Sequence, residues 1–525
     1  MCLISSIRTI VILIPSCKYF YYLIINESKM KNEKIQKIVI AGGGTAGWMT
    51  AASLSKLLGK GFDITIVESD EIGTVGVGEA AIPTLVTFHR LLAIDEQAFM
   101  RATHATFKLG INFENWKQKN ENYMHGFGNV GKACWAGEFQ HFWLHSLRKN
   151  VDVPYDKYCY EIQAAKADKF AKSQEAPLNY AYHLDATLYG RFLRKFSEEL
   201  GVKRIEGKIV SVIKNEDNGH ISSLMLDSGK QIEGQLFIDC TGFTGLLIEK
   251  SLHTGYEDWS HWLPCDSAIA VQTKPTDSPI PYTRSIAHDS GWQWRIPLQN
   301  RVGNGLVYCS NYLTDENAKS LLLKNIDGET INEPRVIKYR TGRRRKGWNK
   351  NCIAIGLSSG FVEPLESTSL HLIMSGILRL IKLFPFAGIN QSTIDEYNQQ
   401  FNEEIESIRD FIIMHYHVTE RDDSPFWRYC KNMDVPPSLK HRINLFEETA
   451  RLSVNDGELF HPDSWSQVMF GQGIIPKQYH QIANVMGKDE FTNFLRGLRE
   501  PIKKRVEQLP SHQEFIDYYC KAEKT

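Results

Sequence analysis

Gly42-Gly43-Gly44-Thr45-Ala46-Gly47 joins an apolar, β-branched run, Ile35 to Ala41, to a stretch from Thr45 to Leu58 whose apolar residues recur at helical spacing. A second strand-like run, Phe62 to Val67, follows and ends on Glu68, 21 positions after Gly47. This order predicts strand, tight turn, helix and strand. Glycines let the backbone approach a pyrophosphate, the helix N-terminus supplies free N–H groups, and an acidic residue at the end of the second strand accepts from a ribose hydroxyl. The chain is expected to be an α/β protein with a Rossmann-like nucleotide domain. Gly42, Gly44, Thr45, Ala46, Gly47 and Glu68 are the candidate cofactor contacts.

The 525 residues are 42% hydrophobic and 23% charged, enough to build a large core and a second lobe. Sixty-one basic residues balance 61 acidic ones. No net field draws in nucleic acid or an anionic membrane, so a small-molecule ligand is expected. The run Arg343-Arg344-Arg345-Lys346 reads as a solvated turn. The ten cysteines contain no C-x-x-C pair, which fits neither a structural metal site nor a disulfide framework and points to a reducing cytoplasm. Within residues 1–29, Pro15, Cys17 and Lys18 interrupt two apolar runs, so neither a membrane span nor a signal peptide is expected. That extension is read as lying outside the fold, with Met30 as the working start.

From about Gly207 to Gly360 the chain reads as strands and turns, including Gly234 to Asp239 running into Cys240-Thr241-Gly242-Phe243. Past Phe386 the pattern turns helical, with Phe401, Ile405, Ile408 and Ile412 on one face. The expected organisation is a cofactor domain over 30–386 with a helical insertion at about 85–172, then a helical lobe over 387–525.

Four segments carry candidate chemistry. In Phe107-Lys108-Leu109-Gly110-Ile111-Asn112-Phe113 the apolar residues alternate, a pattern that by itself reads as a strand with Lys108 turned to solvent. Glu363-Pro364-Leu365-Glu366-Ser367-Thr368-Ser369 precedes a helix, with Ser367 or Thr368 as its N-cap, where the dipole favours a small anion. Trp292, Trp294 and Ile296 share one face of a strand, as core or as the wall of a site. His125 and Phe127 can sandwich a flat ligand or simply pack.

Together with Gly76-Val77-Gly78-Glu79-Ala80, Tyr182-His183-Leu184-Asp185-Ala186 and Asp423-Ser424-Pro425-Phe426-Trp427, these segments resemble the flavin-dependent tryptophan halogenases from about Lys37 to Glu514. The resemblance implies a flavin monooxygenase-type FAD domain with a mainly helical substrate lobe, and it adds Gly78, Glu79, Ala80 and Gly356 to the cofactor contacts. It implies that reduced FAD, dioxygen and halide yield hypohalous acid, which Lys108 directs onto an electron-rich, indole-like ring with Glu366 as its partner. Thr368 and Ser369 fall at the halide positions, the family usually having glycine in place of Ser369. Trp292 and Trp294 fall where substrate and flavin are kept apart. His125, Phe127 and Trp465 fall at the substrate, although Asp463-Ser464-Trp465-Ser466-Gln467-Val468 replaces the paired tyrosines of tryptophan-specific members. Free tryptophan is therefore disfavoured against indole, a phenol or a larger molecule bearing such a ring. Ala81 stands where threonine is common. With no second glycine loop for a nicotinamide, the reduced flavin is expected from a separate NAD(P)H-dependent reductase. A homodimer is a possible assembly, and no metal is expected.

Two rival readings use the same glycine loop. An aromatic hydroxylase needs no Lys108 and is obstructed by the tryptophan pair, and a non-catalytic flavin carrier needs neither the lysine nor the glutamate.

Overall fold

Strand Lys37–Ala41 is buried along nearly its whole length, as a parallel strand covered on both faces must be. In the computed structural model, which describes residues 34–73, 79–134, 137–151 and 153–523, it lies at the centre of a six-stranded sheet. It pairs in parallel with Asp63–Glu68, placing Val39 opposite Thr65, and with Leu236–Asp239, placing Val39 opposite Phe237. Lys203–Glu206 and Cys352–Ala354 extend the parallel sheet, and the short antiparallel Trp348–Asn349 closes one edge. Helix Thr45–Leu58 leaves the glycine turn directly and packs on helices Ala186–Glu199 and Ser369–Lys382. The fold is the expected α/β, Rossmann-like one. The extension 1–29, Met30 and Gly78 lie outside the described residues.

A seven-stranded sheet stands beside it, in the order Arg335–Lys338, Ser267–Thr273, Val302–Tyr308, Gly291–Pro297, Thr283–His288, Gly110–Glu114 and Asn122–Gly126. All its pairings are antiparallel except Thr283–His288 with Gly110–Glu114. A third, small sheet holds Glu79–Ala80, Ala181–Leu184 and Thr106–Lys108. The region 85–172, expected to be helical, thus contributes strands to two sheets as well as helices such as Thr84–Leu92 and Phe139–Arg148. Those strands find their partners far along the chain, which local helical spacing does not report.

Helix Ser369–Lys382 buries Leu370, Ile373, Met374, Ile377 and Leu380, the stripe that a 3.6-residue period generates. Burial of each such side chain contributes about 1.5–3 kcal/mol, and this anchors the helix N-terminus in place. Among the described residues, six further α-helices follow, from Gln391–His417 to His512–Tyr519. No helix among the described residues is long and apolar enough to cross a membrane. The basic run departs from its expected solvated state: Arg343 and Arg344 are buried in strand Gly342–Arg344, Arg343 on Glu257 and Glu406 and Arg344 on Glu249. The acids neutralise the pair, and Trp259 and Tyr256 take their guanidinium faces.

Candidate active site

The glycine turn opens onto a cavity of about 870 Å³. Gly42, Gly44, Thr45, Ala46, Glu68, Glu79, Ala80 and Gly356 all line it. Gly42 has φ +102, and a Cβ there would stand 2.4 Å from the carbonyl oxygen of Cys240, so a larger residue collides with the neighbouring strand connection. Gly47 does not reach the cavity wall; it packs on the Gly42 carbonyl and lets the helix start close to the sheet. The helix begins at Gly44 without a side-chain cap, which leaves its first N–H groups for a ligand. Glu68 ends its strand at the cavity, held by Arg204 and by the indole N–H of Trp48 at 3.3 Å. The same cavity has an apolar lining of Trp292, Trp294, Ile296, Val307, Tyr339 and Phe361. A glycine-lined wall and an aromatic wall in one cavity suit the two parts of a flavin dinucleotide.

Strand Gly291–Pro297 turns Trp292, Trp294 and Ile296 to this cavity together, as alternate residues of a strand must. Trp294 lies across Gly305 of the paired strand, where a Cβ would fall 1.9 Å from its ring. Gly305→Ala is therefore expected to push Trp294 out of place and to lower stability by about 1–3 kcal/mol, the cost of overpacking. A melting temperature and a flavin titration of the variant measure this; wild-type values for both would show that the ring adapts freely.

Directly behind the cavity wall lies Lys108, with no exposed surface. The strand carrying it breaks after Lys108: Thr106–Lys108 pairs with Ala181–Leu184, and the chain then passes into the seven-stranded sheet at Gly110. Nζ donates to Ser367 Oγ at 2.8 Å and to the Ala81 carbonyl at 3.1 Å, and it sits 5.2 Å from the centre of the Phe127 ring. Burial lowers its pKa to about 7, with Glu366 opposing the shift. An amine with this pKa is available near neutral pH both as a base and as a hydrogen-bond donor.

Glu366 is fully buried in the short turn Pro364–Glu366. His125 Nδ1 donates to its carboxylate at 2.9 and 3.0 Å, and His415 Nε2 lies 2.9 Å from Oε1. Burial alone pushes a carboxyl upward, but these two imidazoles outweigh it and hold the Glu366 pKa at about 2. The next residue, Ser367, takes left-handed backbone at φ +59, and it accepts from Lys108 instead of capping the helix. Thr368 holds the N-cap position, but its hydroxyl makes no cap hydrogen bond and is buried without a partner. Ser369 and Leu370, at the helix start, line the cavity.

His125 and Phe127 flank the end of strand Asn122–Gly126, which Gln467 clasps through Gly126, accepting from its N–H at 2.9 Å and donating to its carbonyl at 3.3 Å. Trp465 is buried one layer further out. Its ring packs edge-on against Phe411 at 4.8 Å and carries the Arg442 guanidinium, and Phe411 in turn meets His125 at 5.6 Å. Trp465 thus meets His125 through Phe411 and Phe460. Sequence reasoning missed His415, Phe411 and Phe460, the last stacked on Phe411 at 3.8 Å. The signal for Phe411 and His415 was the helical stripe Phe401 to Ile412, whose continuation by one turn reaches His415, whereas Phe460 lies outside that helix.

The model of the tryptophan halogenase family matches residues 37–488. The chain is 34% identical to tryptophan 7-halogenase RebH of Lentzea aerocolonigenes over 527 residues, which cover 92% of this chain and 98% of that one. Its structure is similar to that of Xcc4156, a flavin-dependent halogenase from Xanthomonas campestris, with 52% identity, a TM-score of 0.93 and coverage of 94% of this chain and 100% of the other. BrvH, a flavin-dependent halogenase from Brevundimonas sp. BAL3, is similar at 41% identity and a TM-score of 0.89, over 93% of this chain and all of BrvH.

Proposed function

The chain belongs to the tryptophan halogenase family of FAD-dependent enzymes, and from that premise we propose that Lys108 delivers an oxidised halogen to a neutral, electron-rich aromatic ring of the indole type. The observation that carries this reading is the buried amine behind the cavity wall, hydrogen-bonded to Ser367 and within the field of Glu366.

Bound in reduced form, supplied by a separate NAD(P)H-dependent reductase, FAD provides with dioxygen and halide the hypohalous acid that the protein then handles. Thr368 and the first N–H groups of helix Ser369–Lys382 hold the halide, since an unpartnered buried hydroxyl beside a helix N-terminus favours a small anion. Lys108 receives the oxidant either by donating a hydrogen bond or by forming a haloamine with loss of water. Glu366, ionised near neutral pH, orients that group or takes the proton that the ring loses on substitution. Trp292 and Trp294 keep the ring away from the flavin.

A neutral substrate is favoured because the guanidinium beside Trp465 is already committed. Arg442 covers Trp465 and pairs with Glu458 at 2.9 Å, so it does not await a carboxylate. His125 and Phe127 offer flat contact to an indole. Incubation with a flavin reductase, NADH, FAD, oxygen, bromide and indole is expected to yield bromoindole, read by product mass. Hydroxylated indole would instead favour an aromatic hydroxylase, and unchanged indole with oxidised flavin would leave a carrier.

A further inference from the structure

Glu363 sits three residues before Glu366 and is equally inaccessible to solvent. Its Oε2 accepts from the indole N–H of Trp292 at 3.1 Å and from the Tyr416 hydroxyl at 2.5 Å, while Oε1 has no partner. Burial pushes its pKa up to about 7, against the pull of both donors. Glu366 and Glu363 are thus served by adjacent residues of one helix: His415 contacts the first and Tyr416 the second.

Trp292 has one side on the flavin cavity. On the other it meets Trp116 at 6.4 Å, which in turn meets His415 at 6.3 Å. A flat ring in that position is held by packing, but packing alone does not choose which edge of the indole faces inward. Turning the ring would strand a buried N–H donor and leave a buried carboxyl short of a partner, so the bonded orientation is the favoured one.

We infer that Glu363 is a positioning residue for halogenation, fixing Trp292 through its indole N–H so that the tryptophan wall of the flavin cavity keeps one orientation. The inference rests on the halogenase reading for its effect on turnover but not for the hydrogen bond itself. When the wall shifts, reduced flavin passes its two electrons to dioxygen with release of hydrogen peroxide, and less oxidant ends as carbon–halogen bond.

Two readouts test this. In flavin-free protein labelled at tryptophan nitrogen, Glu363→Leu is expected to move the Trp292 indole N–H signal, assigned by its loss in Trp292→Phe, toward the position of a free indole. Glu363→Gln, which keeps an acceptor of the same shape, is expected to retain the wild-type position. In turnover with bromide and indole, peroxide released per brominated product is expected to rise on the order of 10-fold in Glu363→Leu, the scale of a small misplacement near the chemistry, and to stay close to wild type in Glu363→Gln. In a Trp292→Phe background, Glu363→Leu is expected to add nothing. An unmoved indole signal, a Gln variant as uncoupled as the Leu variant, or a full additional effect in the Trp292→Phe background each overturns the proposal. If Glu363→Leu does not fold, Trp292→Phe, which removes the donor along with part of the indole, is expected to raise the peroxide ratio at least as much, and an unchanged ratio overturns the proposal. Loss of the halogenase reading is distinguishable, because wild-type protein would then brominate nothing while the nitrogen signal still reports the bond.

Discussion

Lys108→Met is expected to abolish halogenation, by about 10²–10⁴-fold, while flavin oxidation and peroxide release continue. Methionine keeps the length and fills the volume of the lysine stem, so the loss is confined to the amine and its contact with the Phe127 ring. The same variant is expected to melt higher than the parent near neutral pH. The reason is linkage: Lys108 has a pKa of about 7 in the folded chain against 10.5 for an ordinary lysine, so between those values the unfolded chain binds the extra proton. Stability of the parent therefore climbs as pH rises through this window, and below about 7 the parent bears the whole burden of its buried cation. The gap in melting temperature between variant and parent is expected to be widest below pH 7 and to close toward pH 10.5. Retained product formation would remove the amine from the mechanism, and a constant gap across that range would mean that the amine is not buried as a titrating group.

Glu366→Gln is expected to slow halogenation by about 10²-fold, the lower end of what a positioned acid or base contributes. It is also expected to move the ionisation of Lys108. The carboxylate favours the ammonium, and of the two opposing influences on Lys108 it is the one that raises the pKa. Removing it leaves burial unopposed, so the limb of the rate profile that reports Lys108 shifts to lower pH, below about 7. Nitrogen-15 labelling of the lysine side chains follows the same titration without turnover. A limb that stays in place would place Glu366 outside the field of Lys108.

The nucleotide half of the molecule was legible because it is local. Strand Lys37–Ala41, the glycine turn and helix Thr45–Leu58 are consecutive, and each announces itself by its own periodicity. Trp292, Trp294 and Ile296 were legible for the same reason, sharing one strand and one face. Lys108 was not. Alternation from Phe107 to Phe113 describes one strand, but the chain changes sheets at Leu109, so the residues before and after it answer to different surroundings. The partners of Glu366 and Glu363 were hidden by distance along the chain: His125 stands 241 residues before the first, and Tyr416 stands 53 after the second. The basic run misled because acids from three separate segments, at Glu249, Glu257 and Glu406, gather around Arg343 and Arg344.

Ser367 both lines the cavity and accepts a hydrogen bond from Lys108. Its left-handed backbone, an arrangement that disfavours a side chain by about 1–2 kcal/mol, is what aims the hydroxyl at the amine while the chain turns into the helix. From the cavity inward, the hydroxyl therefore comes first and the nitrogen second. Glycine would relax the kink but remove the acceptor, so the strain held in a single residue is what ties the buried amine to the rim of the cavity.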